Sequence, residues 1–147
     1  MRSKNILLVE DNPSDVKLTQ RALEQNKITN ELIVAENGQE ALDYLFATGQ
    51  YAGREIQSLP AVVLLDLKLP KIEGLEVLQR IRANELTRLM PVAILTSSSQ
   101  EQDMITSYKL GANSYIRKPV DFRKFTDAVR TLGMYWLLLN EPPPPVK

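Results

Sequence analysis

Polar side chains with complementary chemistry follow four apolar segments of the sequence. Glu10 and Asp11 follow the first of these segments, and Asp66, Thr96 and Lys118 follow three later ones. A carboxylate inside an apolar run would be costly to bury, but at the carboxyl end of a strand it faces the crevice where open α/β sheets bind ligands. Three carboxylates in one crevice repel each other, and a hard divalent cation such as Mg²⁺ relieves that repulsion.

Together these groups predict a site that receives a phosphoryl group. Lys118 and the cation would neutralise the charge on the phosphoryl oxygens, so that catalysis is mainly positioning and electrostatics. Asp66 would be the nucleophile and would form an acyl phosphate. Taken alone, Asp66 could be a strand-end capping residue. The arrangement of acids, hydroxyl and amine at successive strand ends favours the functional interpretation.

Composition excludes several other classes of site. The chain has 147 residues, 18 basic and 18 acidic side chains, and neither cysteine nor histidine. Zero net charge argues against a nucleic-acid or membrane surface as the main partner. Without histidine and cysteine, a metal site must use oxygen ligands, which favours Mg²⁺, Ca²⁺ or Mn²⁺ over zinc. No segment has the length of a membrane span or the pattern of a signal peptide, so the expected location is cytoplasmic.

Strand and helix patterns alternate along the chain. The predicted strands cover residues 6–9, 32–35, 61–65, 91–95 and 114–117, and helices follow them, the last running from Asp121 toward Asn140. The segment 47–59 is predicted to be a long surface loop. This alternation predicts an α/β fold with a doubly wound, five-stranded parallel sheet of order 2-1-3-4-5, a flavodoxin-like arrangement. In that order the first and third strands are neighbours, so their terminal acids meet.

Several short motifs carry a family resemblance. They are Ile6–Asn12, Val63–Leu67 with Leu69-Pro70 and Gly74, Ile94–Ser97, and Gly111-Ala112 through Tyr115 to Lys118-Pro119. On these motifs the chain resembles a response-regulator receiver domain of two-component signalling, over about residues 4–132. The surrounding loops and the aromatic C-terminal extension are similar to the small stand-alone regulators of cyanobacterial phytochromes.

The resemblance implies a role for each site residue. Asp66 is the implied phospho-acceptor, and Glu10 and Asp11 form the acid pair. The implied Mg²⁺ ligands are Glu10, Asp11, Asp66 and the backbone carbonyl of Lys68. Thr96 is the implied phosphate-sensing hydroxyl, Lys118 the phosphate partner and Tyr115 the aromatic switch.

The resemblance leaves two features of the site open. Lys68 lies two residues past the acceptor, beside the route of attacking water, so the lifetime of the phosphate stays open. The resemblance suggests a cis Lys118-Pro119 bond, whereas general statistics favour trans.

The implied partners follow from the same interpretation. Because the chain has no histidine, it cannot supply its own phosphohistidine, and a separate histidine kinase is required, with a phytochrome as the candidate. The receiver is predicted over residues 1–132, and a helical extension with a proline-rich tail over residues 133–147. An unidentified downstream protein would read the surface of the fourth helix, fifth strand and fifth helix, and neither nucleic acid nor membrane is expected as a partner.

The C-terminal extension has no polar face in its first part. Residues 134–139 are six consecutive apolar residues, and a helix that is apolar all round is buried or forms an interface. It could fold back on its own domain, but we favour a two-fold homodimer. The predicted interface residues are Met104, Tyr108, Tyr115, Phe125, Tyr135, Trp136, Leu138 and Leu139.

Three other function classes stay open at this stage. A pseudo-receiver would keep the fold as a docking module, although the intact Asp66, Thr96 and Lys118 argue against it. A magnesium-dependent phosphatase with an aspartyl-phosphate would need a general acid two residues beyond the nucleophile, where this chain has Lys68. A flavodoxin-like cofactor binder would need a phosphate-binding loop after the first strand, where Glu10 and Asp11 would repel an anion.

Overall fold

The structure is a computed structural model that describes residues 5–28, 30–118 and 122–133. Strands and helices alternate through these residues, with one short 3₁₀ helix at Gly49–Tyr51. The strands are β1 (Ile6–Val9), β2 (Leu32–Ala35), β3 (Val62–Leu65), β4 (Val92–Thr96) and β5 (Ser114–Arg117). The helices are α1 (Pro13–Gln25), α2 (Gly38–Phe46), α3 (Gly74–Ala83), α4 (Glu101–Lys109) and α5 (Phe122–Gly133).

The first two helices begin at the asparagine caps that the sequence indicates. The Asn12 side chain accepts hydrogen bonds from the backbone N–H groups of Ser14 and Asp15, and Pro13 occupies the first helical position, where its missing N–H costs nothing. The Asn37 side chain accepts from the N–H of Glu40 in the same way. These caps fix where the chain leaves β1 and β2 and turns into helix.

The five strands form one parallel sheet in the order β2-β1-β3-β4-β5, which confirms the predicted fold class. Side chains alternate between its two faces. Leu7 and Val9 of β1 join one apolar layer, beneath α2 and α3, whereas Ile6 and Leu8 join a second layer that includes Phe125 of α5. The strands are buried on both faces and therefore read as continuous apolar runs.

The strand register aligns the polar residues that follow the strands. Val9 pairs with Leu65, so Glu10 and Asp66 are level on neighbouring strands. Thr96 is the last residue of β4, and the N–H of Lys118 donates to its carbonyl at 2.6 Å. We call this end of the sheet the carboxyl edge.

The predicted loop over residues 47–59 is more ordered than the sequence analysis expected. It contains the 3₁₀ helix and is held to α2 by Arg54, whose guanidinium donates to the carbonyls of Tyr44 and Ser58, both at 2.7 Å. The same guanidinium lies 4.4 Å from the centre of the Tyr44 ring. The surface-loop prediction missed Arg54 because a single arginine in a polar segment carries no periodic signal.

The predicted start of the last helix at Asp121 and its extension to Asn140 lie outside the described residues, where α5 covers Phe122–Gly133. Among the described residues, no helix has the length and apolar character that crossing a membrane requires.

Candidate functional site

Three carboxylates meet at the carboxyl edge. One oxygen each from Glu10, Asp11 and Asp66 can be chosen so that all three lie within 4.8 Å of one another. Glu10 and Asp66 are buried, with exposed fractions of 1% and 6%, whereas Asp11 is exposed. Two buried acids and one that faces solvent fit a hard divalent cation, which is bound by oxygen and keeps several waters.

Lys118 places its ammonium among these acids. Its Nζ donates to Glu10 Oε1 at 2.7 Å and lies 3.4 Å from Asp66 Oδ2. Burial raises the pKa of Glu10 above its ordinary range; the hydrogen bond from Lys118 opposes that shift, and the charge of Asp66 adds to it. Burial lowers the pKa of the Lys118 ammonium, but the surrounding carboxylates outweigh burial and raise it overall. Lys118 is therefore a fixed positive charge beside Asp66.

The backbone around Asp66 is held closely. The N–H of Asp66 donates to the carbonyl of Val9 at 3.1 Å, and the N–H of Lys68 approaches Asp66 Oδ1 at 3.3 Å. Gly74 opens α3 directly against this turn, because a Cβ there would collide with the carbonyl of Asp66. The Lys68 side chain is exposed, and its carbonyl as a metal ligand stays a prediction.

Thr96 and Tyr115 lie on neighbouring strands, and register places them on the same face of the sheet. Tyr115 pairs with Ile94, two residues before Thr96, so both side chains point toward the same apolar layer. Thr96 is fully buried, and its hydroxyl accepts from the N–H of Ser98 at 3.2 Å. The Tyr115 hydroxyl is buried without a hydrogen-bond partner among the described residues, and burial raises its pKa.

Sequence reasoning missed one member of the site, Asp15. Its carboxylate lies in the first turn of α1 and accepts from Lys118 Nζ at 2.7 Å. The only signal in the sequence was an acid in the first helical turn, which is ordinarily explained by the helix dipole. No pattern along the chain indicated that α1 would bring this acid to Lys118, a residue more than a hundred positions away.

The predicted interface residues fall into three groups. Tyr108 is 50% exposed on α4, Met104 and Tyr115 are half-buried, and the rings of Tyr108 and Tyr115 are 6.5 Å apart. The prediction is wrong for Phe125, which is 2% exposed and packs into the apolar layer of α1 and α5. Its helical position was compatible with the core or the interface, and tertiary packing decides for the core. Four further residues and Pro119 lie outside the described residues: Tyr135, Trp136, Leu138 and Leu139.

The geometry agrees with a family model. The model for the response regulator receiver domain matches residues 6–130. The chain belongs to this family. Among curated relatives, it is 39% identical over 134 residues to the response regulator Rcp1 of Synechocystis sp., covering 91% of this chain and 89% of Rcp1. It is also 41% identical over 140 residues to a probable methanogenesis regulatory protein, FilR2, of Methanothrix harundinacea, covering 95% of this chain and 88% of FilR2.

Solved receiver structures resemble the whole described fold. The phosphorylated cyanobacterial phytochrome response regulator RcpA superposes with a TM-score of 0.86 at 37% identity, covering 97% of this chain and 99% of RcpA. The Mn²⁺-bound form of Rcp1 gives 0.83 at 37% identity, covering 96% and 99%. The bacteriophytochrome response regulator AtBRR gives 0.76 at 54% identity, covering 95% and 99%. The receiver family is not a class of conventional enzymes, and the acidic cluster of this receiver suits a divalent cation.

Proposed function

We propose that this receiver accepts a phosphoryl group on Asp66 from a separate histidine kinase and transmits the change through the surface of α4, β5 and α5. The observation that carries the proposal is the convergence of Glu10, Asp11 and Asp66 with the ammonium of Lys118 at the carboxyl edge. Nucleophile, acidic cluster and fixed cation are the parts that phosphoryl transfer to an aspartate requires.

In the proposed reaction, an Asp66 carboxylate oxygen forms a bond to phosphorus while the bond from phosphorus to the donor breaks. The donor leaves with the bonding electrons, which places an acyl phosphate on Asp66. Lys118, 3.4 Å from Asp66 Oδ2, is placed to balance the charge on the transferred group. When bound at the carboxylates, Mg²⁺ would supply further positive charge to the phosphoryl oxygens. The Mn²⁺-bound Rcp1 structure supports a divalent cation in this family, and the choice of Mg²⁺ belongs to the proposal.

For the output we propose a coupled movement of Thr96 and Tyr115. A new phosphoryl group would attract the Thr96 hydroxyl, since hydrogen bonds to charged groups are worth roughly 1.5–3 kcal/mol. Tyr115 would then turn further toward the space that Thr96 leaves, on the same face of the sheet. The unpartnered Tyr115 hydroxyl supports a side chain with more than one arrangement, because a buried hydroxyl without a partner is disfavoured.

The proposed upstream partner is a histidine kinase, with a bacterial phytochrome as the candidate. The chain contains no histidine, so the phosphohistidine must be on another protein. RcpA and AtBRR are named as phytochrome and bacteriophytochrome regulators, which supports this choice. The downstream partner is a protein, and a cytoplasmic location is part of the same proposal.

We further propose a homodimer through the α4, β5 and α5 surface. The exposed Ile105 and Tyr108 on α4 and the apolar segment 134–139 support it, because both leave apolar surface that a partner could cover. Truncation after Leu132 should then yield a monomer by sedimentation velocity, while the full chain stays dimeric at micromolar concentration. A full chain that is monomeric with and without phosphate would refute the dimer and leave the phospho-acceptor proposal intact.

Intact-mass spectrometry tests the phospho-acceptor proposal. The protein is incubated with acetyl phosphate, with Mg²⁺ or with excess chelator, as wild type and as Asp66→Asn. We expect the mass of one phosphoryl group only on the wild type and only with the metal. Equal modification of the Asp66→Asn variant, or no modification of the wild type, would contradict the proposal. Thermal unfolding of both proteins serves as the control for folding.

A further inference from the structure

Asp15 competes with the acceptor for the ammonium of Lys118. The two short hydrogen bonds of Nζ, both 2.7 Å, go to Glu10 and Asp15, whereas Asp66 Oδ2 is 3.4 Å away. The Lys118 side chain is only 10% exposed, and so these three carboxylates account for much of its surroundings. The acid that would need Lys118 during the reaction is therefore the one that holds it least closely.

Asp15 is held in place independently of this contact. Its backbone N–H donates to the cap Asn12, and its carbonyl accepts from the Thr19 hydroxyl at 3.0 Å. Its side chain is 29% exposed, so it can be rehydrated when it loses Lys118. Glu10, at 1% exposure, cannot be rehydrated as readily. Of the two close partners of Lys118, Asp15 is thus the one that can release it at low cost.

We propose that Asp15 is a positioning residue that holds Lys118 away from Asp66 before phosphoryl transfer and thereby restrains phosphorylation. A phosphoryl group adds about 1.5–2 negative charges at Asp66 and draws Lys118 toward them. The Asp15–Lys118 pair must then weaken, and this cost is part of the barrier to phosphorylation. The inference rests on the proposed function of Asp66, because it concerns the same reaction.

The test is a double-mutant cycle with Asp15→Asn and Lys118→Met in the full chain. The rate of phosphorylation by acetyl phosphate with Mg²⁺ is followed by intact mass. Asp15→Asn should raise the rate by about threefold to tenfold, the scale of one partly exposed ion pair. In the Lys118→Met background the same substitution should have little effect. The matched control is Glu101→Gln, which removes an acid from the first turn of α4 with the same change of charge.

A spectroscopic measurement separates positioning from a structural role. In the unphosphorylated protein, Asp15→Asn should shift the ¹H–¹⁵N signal of the Lys118 ammonium, and Glu101→Gln should not. Asp15→Glu, which keeps the charge, should retain most of the wild-type rate.

Two results would overturn the inference alone. The first is a wild-type protein that is phosphorylated on Asp66 at the same rate as Asp15→Asn. The second is an acceleration that persists in full without Lys118, because the acid would then act by repelling the anionic donor. A wild-type protein that takes no phosphoryl group would overturn the proposed function together with this inference.

Discussion

Arg82 on α3 makes a stability prediction that can be worked from its contacts. Its guanidinium donates to the carbonyl of Gly111 from both Nε and Nη2, at 3.0 and 2.7 Å, and to the carbonyl of Met90 at 2.7 Å. Two further acceptors, the Arg88 carbonyl and Asn113 Oδ1, are both at 3.1 Å. One side chain thus joins the end of α3, the α3–β4 loop and the α4–β5 turn.

The expected loss in Arg82→Met is about 3 kcal/mol in the free energy of unfolding. A hydrogen bond from a charged donor contributes roughly 1.5–3 kcal/mol, and the contributions do not add fully when one group makes all of them. The site is half-buried, so water can satisfy some of the released carbonyls. The expected loss is therefore that of one or two such bonds. Methionine keeps most of the apolar stem, and the measured change is then mainly the loss of the guanidinium.

The assay is urea unfolding of wild type, Arg82→Met and the control Arg80→Met. Arg80 lies two residues away on the same helix and forms an ion pair with Glu76 at 2.6 Å, with both side chains about half exposed. Exposed pairs of this kind contribute about 0.3–0.5 kcal/mol. The reasoning is refuted if the two variants differ by less than about 1 kcal/mol at unchanged m-value.

Two other predictions test a helix end and the switch. Ala47 ends α2 in the left-handed region, with φ of 55°, so Ala47→Gly should stabilise the fold by about 1 kcal/mol in urea unfolding. The control Ala52→Gly, at φ of −57°, should not stabilise it, and equal effects would contradict the explanation. Thr96→Ala should still be phosphorylated, but the NMR signals of the Tyr115 ring should no longer shift on phosphorylation. A shift equal to that of the wild type would count against coupling between the two residues.

Periodicity and strand-end chemistry were sufficient to predict the order of the elements and the acids at the carboxyl edge. The strands are continuous apolar runs because both of their faces are covered, and each ends near a polar residue. The caps Asn12 and Asn37 marked where two helices begin. Such signals are local, and local signals are what a single sequence carries.

The missed features are contacts between distant parts of the chain. Asp15 meets Lys118, Arg82 meets Gly111, and Asn26 donates to the carbonyl of Thr126 at 2.9 Å. Polar residues at helix positions such as these ordinarily face solvent, and only the packed fold selects the exceptions. The error at Phe125 has the same origin, because the sequence gives the apolar stripe of α5 but not the element that covers each of its residues.

Chemical trapping of the phosphorylated residue tests the central claim most directly. Wild-type protein phosphorylated with acetyl phosphate and Mg²⁺ is treated with borohydride, which reduces an aspartyl phosphate to homoserine and releases the phosphate. Peptide sequencing by mass spectrometry then locates the product. We predict homoserine at position 66 alone, dependent on both acetyl phosphate and metal. Reduction at Glu10 or Asp11, or no reduced residue in protein that carries the phosphoryl mass, would contradict the assignment of Asp66 as the phospho-acceptor.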